Sequence, residues 1–279
     1  MQAKPKTVVF ISDLHVGSRR GLCPPKVKLQ ELGAEHKPSK RQQAILKCWQ
    51  ETVSEWRKPD LLVVVGDLVE GQARRSRGVN VWTTDVDLQG QIAANLIEEW
   101  EAKKVLIVAG SDYHVVVSGL SAEEWIARDL KRRGINVLPC DPKGSNALTA
   151  DEVYFSVHGK TFHASHRIES TRFINYRSTA INREIAQNKL ASEAEVHRVD
   201  CVIRAHLHHF WAIDTGKSYA MIIPGWQAKT KYETQRSPFG MIPQLGAVRF
   251  LIWPDGQWRY EKHIYQPVAL KPTMLTEVV

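Results

Sequence analysis

Short apolar runs recur along the first half of the chain, and each precedes a stretch with apolar residues at three- and four-residue steps. The runs predict buried strands at residues 6–12, 61–65, 105–109 and 135–138. The stretches between the runs have the period of an amphipathic helix. Alternating strands and helices of this kind imply β-α-β units, and therefore a largely parallel sheet.

Three helices are expected between these strands. The first begins at Ser39, which forms a capping-box pattern with Gln42, and ends before Pro59. The second carries apolar residues at four-residue steps: Leu88, Ile92, Leu96 and Trp100. The third begins at another capping-box pattern, Ser121 to Glu124, and ends at Gly134, a typical helix stop.

The second half of the chain has a different pattern, with strands that follow one another more closely. They are expected at 153–158, 160–165, 201–205, 247–253 and 257–265. The first two are joined at His158-Gly159, and the last two flank Pro254-Asp255-Gly256, which is a hairpin signal. One more helix is expected at about 171–195. We therefore expect a single α/β domain over residues 1–279, with two packed mixed sheets and helices outside them.

Composition narrows the class of protein and of partner. The net charge is +8 and the pI is about 9.3. This charge favours polyanionic partners such as nucleic acid, although a basic protein with an ordinary solvated surface has the same net charge. The four cysteines form no C-x-x-C pair, so a zinc site or a disulfide framework is not expected. No apolar run approaches the ~18–20 residues of a membrane span, and the first residues lack the apolar core of a signal peptide. We expect a cytoplasmic protein without membrane contact.

Metal-ligand residues follow three of the predicted strands. Asp13 and His15 come after the first, Asp67 after LLVVV, and His206 and His208 after CVIRA. Carboxylates and imidazoles fixed at strand ends are the side chains that hold two metal ions side by side. The segments 16–38 and 70–84 match neither strand nor helix and begin directly after His15 and near Asp67, so we expect them to form the rim of the site.

The ordered motifs D-x-H, G-D, G-S-D-Y-H, a later histidine at a strand end and H-x-H resemble those of the calcineurin-like metallophosphoesterase superfamily. The resemblance runs from position 13 to position 208 and implies a four-layer αββα sandwich of two mixed sheets flanked by helices. It also implies two divalent ions, with Mn²⁺ favoured over Fe, Zn²⁺ or Ni²⁺. The chain is similar as well to small phosphoesterases of bacteriophages and prophages, and to the nuclease branch of the superfamily.

The resemblance assigns the ligands residue by residue. Asp13, His15 and His208 would hold the first ion, His166 and His206 the second, and Asp67 would bridge the two. His166 is preferred over His163 because it stands at the end of its strand, where functional groups concentrate. His158 and His163 are interpreted as structural, and His209 either supports a ligand or lies at the surface.

One motif departs from the family pattern. Where the family has G-N-H-(D/E), this chain has Gly110-Ser111-Asp112-Tyr113-His114. Either Ser111 through its hydroxyl or Asp112 through its carboxylate would then bind the second ion, and His114 would protonate the leaving group. The alternative is that this segment no longer takes part in metal binding or proton transfer, and that His114 is an ordinary loop residue.

Substrate phosphates require further cations, and several follow the proposed ligands. Those nearest in sequence are Arg74, Arg75 and Arg77 after Asp67, and Arg167 directly after His166. Arg172 and Arg177 are interpreted as a solvated helix face. Trp226, Lys229, Lys231 and Tyr232 either stack on a nucleotide or form an ordinary packed loop.

Three functions are compatible with these residues. The favoured one is a phosphodiesterase or nuclease acting on nucleic acid or nucleotides. A phosphomonoesterase is the alternative, although the G-D-x-x-D-R-G pattern of the protein phosphatases is replaced here by GDLVEGQ. A scaffold that has lost the chemistry is the third.

Overall fold

The computed structural model describes residues 3–29, 33–72, 78–111, 121–140, 146–168, 177–193, 199–230 and 242–266. The four helices of this part are α1 Lys40–Trp56, α2 Val86–Glu98, α3 Ala122–Arg132 and α4 Arg177–Glu193. The strands are β1 Lys6–Ile11, β2 Val27–Leu29, β3 Ala34–His36, β4 Leu61–Val65, β5 Val105–Val108, β6 Thr149–Ala150, β7 Glu152–Val157, β8 Lys160–Ser165, β9 Cys201–Arg204, β10 Trp211–Asp214, β11 Tyr219–Ile222, β12 Leu245–Ile252 and β13 Trp258–Tyr265.

The two large sheets are both mixed. The first has the order β13-β12-β1-β4-β5-β6, in which β1, β4, β5 and β6 are parallel. The second has the order β10-β11-β9-β8-β7, in which β8, β9 and β11 are parallel and both edge strands run antiparallel to their neighbours. The parallel strands at the centre of each sheet are the ones that precede the predicted metal ligands.

An aromatic core joins the inner faces of the two sheets. Phe10 of β1 contacts Phe162 of β8 and Phe250 of β12, with ring centroids 5.8 and 5.7 Å apart. A second buried cluster packs the outer face of the first sheet against α1, α2 and α3, and a third packs the second sheet against α4. The predicted arrangement of two packed mixed sheets flanked by helices is therefore confirmed.

Helix starts follow the capping patterns, with one correction. At α1, Ser39 Oγ accepts from the Gln42 backbone and Gln42 Oε1 accepts from the Ser39 backbone, so this capping box is complete. At α3, Ser121 caps the helix, but the Glu124 carboxylate accepts three hydrogen bonds of 2.9 Å from Leu148 and Thr149 instead. The predicted second capping box is therefore wrong, because the Glu124 side chain accepts hydrogen bonds at the start of β6 rather than from the Ser121 backbone.

Two other local predictions differ from the structure. Residues 135–138 form no strand: Val137 alone bridges to Val105, because the other end of β5 pairs with Thr149 and Ala150 of β6. Within the predicted loop 16–38, β2 and β3 form a small hairpin. The strands β10 and β11 are not among the predicted strands, and β10 has no buried residue.

Candidate metal centre

The predicted ligands meet at one end of the two sheets. Asp13 and His15 follow β1, Asp67 follows β4, His166 follows β8 directly, and His206 and His208 follow β9. Because β1 is parallel to β4, and β8 to β9, these carboxyl ends lie at the same edge of each sheet. The core between the sheets therefore brings residues from both halves of the chain together.

The first group of ligand atoms belongs to Asp13, His15 and His208. His208 Nε2 lies 3.0 Å from Asp13 Oδ1, and His15 Nε2 lies 3.7 Å from the same oxygen. All three side chains are buried. One ligand atom from each lies within 4.8 Å of the others, so the group could hold a metal ion.

The second group belongs to Asp67, His166 and His206. His166 Nε2 lies 3.0 Å from Asp67 Oδ2 and 3.3 Å from His206 Nδ1. Asp67 and His166 are buried, whereas His206 is exposed. These atoms also fall within 4.8 Å of one another.

The two groups adjoin through their carboxylates. His166 Nε2 lies 3.9 Å from Asp13 Oδ1, and His15 Nε2 lies 3.9 Å from Asp67 Oδ2. Each aspartate therefore faces a histidine of the other group. This is the close pairing that a centre for two ions requires.

Neighbouring charges shift the pKa values of these groups strongly. Burial raises the pKa of Asp13, but the imidazoles of His208 and His166 outweigh it and hold this pKa well below its usual value. Burial lowers the pKa of His166, yet Asp67 and Asp13 raise it to about 9. The carboxylates thus stabilise positive charge at the centre, and a divalent cation can take the place of protons.

The donor set fits first-row divalent ions. Asp13 Oδ1 is buried and has no hydrogen bond of good geometry, although His208 Nε2 lies 3.0 Å away. His166 Nδ1 donates to the Val65 carbonyl at 2.8 Å, so Nε2 is the nitrogen that faces Asp67. A divalent ion would replace the proton that the raised pKa of His166 places on Nε2, and mixed oxygen and imidazole ligands suit transition ions.

Several supporting residues were missed by the sequence interpretation. Glu70 Oε2 lies 2.9 Å from His15 Nδ1, and Gln227 Nε2 donates to the same oxygen at 2.9 Å. A Cβ on Gly225 would lie 2.7 Å from Asp13 Cβ, so only glycine fits there. The Leu68 backbone donates to Glu123 Oε1 of α3 at 3.3 Å. Glu70 could have been suspected, since it stands three positions after Asp67.

Ser111 lies beside the second group. Its backbone N–H donates to Asp67 Oδ1 at 2.6 Å, and its Oγ lies 3.2 Å from Asp67 Oδ2 and 3.4 Å from His206 Nδ1. The hydroxyl is therefore next to two of the three predicted ligands of the second ion. Asp112 and His114 lie outside the described residues.

The predicted substrate cations are only partly described. Arg74, Arg75, Arg77, Arg172, Lys231 and Tyr232 lie outside the described residues. Arg167 is exposed directly after His166, and Arg177 is the first residue of α4. Trp226 is fully buried against Trp49, with ring centroids 5.1 Å apart, so its stacking on a nucleotide is wrong and the packed alternative holds.

The remaining histidines lie apart from the ligand groups. His163 lies within β8, with Nε2 3.0 Å from Glu152 Oε2, and His158 forms the turn between β7 and β8. His209 is buried, and its Nδ1 lies 2.9 Å from the Leu207 carbonyl. The structural interpretation of His158 and His163 agrees with these positions, whereas the burial of His209 contradicts its placement at the surface.

The two segments predicted to form the rim are joined by backbone hydrogen bonds next to His15. The Glu70 backbone donates to the Val16 carbonyl at 2.8 Å, and the Arg19 backbone donates to the Asn80 carbonyl at 2.9 Å. Arg19 is exposed, and Arg20 Nη1 donates to the Lys229 carbonyl at 3.1 Å. Arg19 and Arg20 are therefore cations of this region that the sequence interpretation did not select.

Similar solved structures include Vps29 from Entamoeba histolytica complexed with Zn²⁺, at 11% identity over 92% of this chain and 98% of that chain, with a TM-score of 0.42. A novel archaeal phosphodiesterase is 10% identical over 93% and 99% of the two chains, with a TM-score of 0.45. A predicted phosphoesterase from Streptococcus pneumoniae is 12% identical over 95% and 100%, with a TM-score of 0.36. No curated protein sequence matches the chain significantly.

The family comparison covers most of the chain and all six residues of the two groups. Residues 6–210 match the model of the calcineurin-like phosphoesterases. The chain belongs to the calcineurin-like phosphoesterase family.

Proposed function

We propose that the chain is a two-metal-dependent phosphodiesterase that hydrolyses nucleic acid or nucleotide diesters. The observation that carries this proposal is the adjoining pair of ligand groups, in which Asp13 and Asp67 each face histidines of both groups. Asp13, His15 and His208 would hold one ion, and Asp67, His166 and His206 the other, with Ser111 as a further oxygen ligand. Mn²⁺ is the ion we favour.

Two divalent ions bound there would activate water for attack and neutralise phosphoryl oxygens as charge develops in the transition state. The protein contributes rigid placement. Glu70 and the Val65 carbonyl each hold one imidazole, so His15 and His166 keep their Nε2 atoms directed at the aspartates. Because His206 is exposed, we expect a phosphate ester to reach the centre from the side of this residue.

The chain also supplies candidate groups for the substrate. Arg167 follows His166 and is exposed, and Arg19 is exposed on the rim beside the first group. With a net charge of +8, these cations favour a substrate that carries several phosphates over a small monoester. Arg74, Arg75 and Arg77 are proposed for the same role. His114 is proposed to protonate the leaving group, and Asp112 to take part in the same step or to bind the second ion.

A substrate panel tests the proposal. Protein reloaded with Mn²⁺ is expected to cleave bis-p-nitrophenyl phosphate and single- or double-stranded DNA, and to cleave p-nitrophenyl phosphate more slowly. Asp67→Asn is expected to reduce diester cleavage at least about 100-fold, because a ligand that both groups contact loses its charge. Turnover of the monoester alone would favour a phosphomonoesterase, and no turnover with any metal would favour a scaffold.

A further inference from the structure

Glu70 is an acid beside the first ligand group that is not itself one of the predicted metal ligands. Its side chain is only 12% exposed, and its Oε2 lies 2.9 Å from His15 Nδ1. A carboxylate accepts hydrogen bonds and donates none, so the proton of a neutral His15 sits on Nδ1. The Nε2 lone pair of His15 is then directed at Asp13, which is the orientation that a metal ligand needs.

Gln227 fixes the position of Glu70. Its Nε2 donates to Glu70 Oε2 at 2.9 Å and to Ser18 Oγ at 3.0 Å. Gln227 is 4% exposed and Ser18 is fully buried, so water does not compete for these bonds. Both amide protons are used, which leaves Gln227 one orientation.

The bonds join three separate loops. His15 and Ser18 follow β1, Glu70 follows β4, and Gln227 follows β11. The backbones of the first two loops are also paired, since Val16 donates to the Leu68 carbonyl at 3.0 Å. Glu70 therefore stands at a point where elements of both sheets meet behind the first group.

The imidazoles of the second group have weaker hydrogen-bond partners behind them than His15 has. Behind His166 stands a neutral carbonyl, that of Val65, at 2.8 Å. His206 is exposed, and the hydroxyl of Ser111 lies 3.4 Å from its Nδ1. A carboxylate behind an imidazole raises its basicity more than a carbonyl does, and burial protects the ligand set from competing water.

We propose that Glu70, fixed by Gln227, is a positioning residue for His15 and makes the first ligand group the tighter of two metal positions. This inference rests on the metal-binding part of the proposed function. Glu70 acts through His15 and does not touch the reacting atoms.

Mn²⁺ titration tests the inference without any activity measurement. Metal-stripped wild-type protein, titrated by calorimetry, is expected to show a tight and a weak class of site. Glu70→Ala is expected to weaken the tight class by about 10- to 100-fold and to leave the weak class unchanged. Gln227→Ala is expected to weaken the same class by a smaller factor.

Glu152→Ala is the matched control. Glu152 Oε2 lies 3.0 Å from His163 Nε2, so this variant removes the same kind of carboxylate from a histidine outside the ligand groups. We expect both Mn²⁺ classes to stay at their wild-type affinities. If Glu70→Ala fails to fold by circular dichroism, Glu70→Gln replaces it, since glutamine keeps the shape and removes the charge.

Two results would overturn the inference alone: a folded Glu70 variant with unchanged tight affinity, or equal weakening of both classes. Wild-type protein that binds no Mn²⁺ would instead overturn the proposed function, and the inference with it. The two failures are therefore distinguishable.

Discussion

At the scale of single residues, the centre uses backbone conformations that most side chains disfavour. Asp13, His15 and Asp67 have φ values of 54°, 44° and 51°, and His206 and His208 have 70° and 50°. Each such residue costs about 1 kcal/mol or more, so the surrounding structure must hold it. Backbone bonds of 3.0 Å do this, from Asp13 to the Gly66 carbonyl and from His15 to the Asp67 carbonyl. The ligand loops are therefore fixed by the fold itself.

Gly225→Ala tests how closely the first group is packed. The added Cβ would lie 2.7 Å from Asp13 Cβ and 3.3 Å from His208 Cγ, and both ligands are buried. We expect a loss of about 1–3 kcal/mol in unfolding free energy and weaker Mn²⁺ binding in the tight class. Urea unfolding and Mn²⁺ titration measure the two effects.

Gly134→Ala provides the control for destabilisation alone. Gly134 has a φ of 88° and nothing within 4 Å of an added Cβ, so the cost there is backbone strain. Its Mn²⁺ affinities should remain those of the wild type. Wild-type Mn²⁺ binding in Gly225→Ala would contradict the close packing of the first group.

At the scale of elements, each sheet has a hydrogen-bonded pair of one aspartate and one threonine. The pair lies at the end of two central strands that is opposite to the ligands. Asp60 Oδ2 accepts from the Thr7 backbone at 2.9 Å, and Thr7 Oγ1 accepts from the Asp60 backbone at 3.0 Å. Asp200 and Thr161 form the same reciprocal pair, with distances of 2.8 and 3.0 Å. Each pair joins a strand to the parallel strand beside it, opposite to the ligand end, and so fixes the register that aligns the ligands.

Asp60→Asn should remove a contribution to the unfolding free energy that the wild-type protein loses in acid. Burial raises the pKa of Asp60, but hydrogen bonds from Lys103 and the Thr7 backbone lower it to about 2. Because this pKa lies below that of the unfolded chain, about 3.9, its contribution is complete above about pH 5 and is lost as the pH falls towards 2.

We expect Asp60→Asn to lose roughly 1–2 kcal/mol of unfolding free energy at pH 6, allowing for partial exposure of the carboxylate, and much less at pH 2.5. Urea unfolding of metal-stripped protein at both pH values measures this. Asp151→Asn, an exposed site before β7, is the control. A difference between wild type and Asp60→Asn that does not change with pH would refute this account.

At the scale of the whole molecule, the strands and the ligands at their ends could be predicted because their sequence patterns are local. An apolar run that ends in Asp13 or Asp67 indicates both a buried strand and the ligand that follows it. The supports of the centre are different, since the contacts of Glu70 and Gln227 depend on how distant loops meet. The same reason explains Glu124, whose capping pattern is local but whose partners in β6 are not.

We expect the exposed arginines to affect the binding of nucleic acid rather than the rate of the chemical step. Arg19→Ala is expected to raise KM for single-stranded DNA several-fold and to reduce the salt dependence of binding by about one unit of log–log slope. The kcat for bis-p-nitrophenyl phosphate should stay unchanged. Arg57→Ala, at the end of α1 where Arg57 pairs with Glu101, is the control and should change neither. An unchanged salt dependence in Arg19→Ala would exclude Arg19 from the nucleic acid surface.

No helix in the described part of the chain is long and apolar enough to span a membrane. All four cysteines lie within that part and are free. The proposed chemistry depends on the pair of ligand groups at the shared end of the two sheets.

Anomalous X-ray scattering from crystals soaked in Mn²⁺ tests that feature most directly. We expect two peaks, one among Asp13, His15 and His208 and the other among Asp67, His166 and His206. Their separation should be about 3.5–4 Å, as in two-metal hydrolytic centres. A single peak, or peaks remote from Asp13 and Asp67, would contradict a two-metal phosphoesterase.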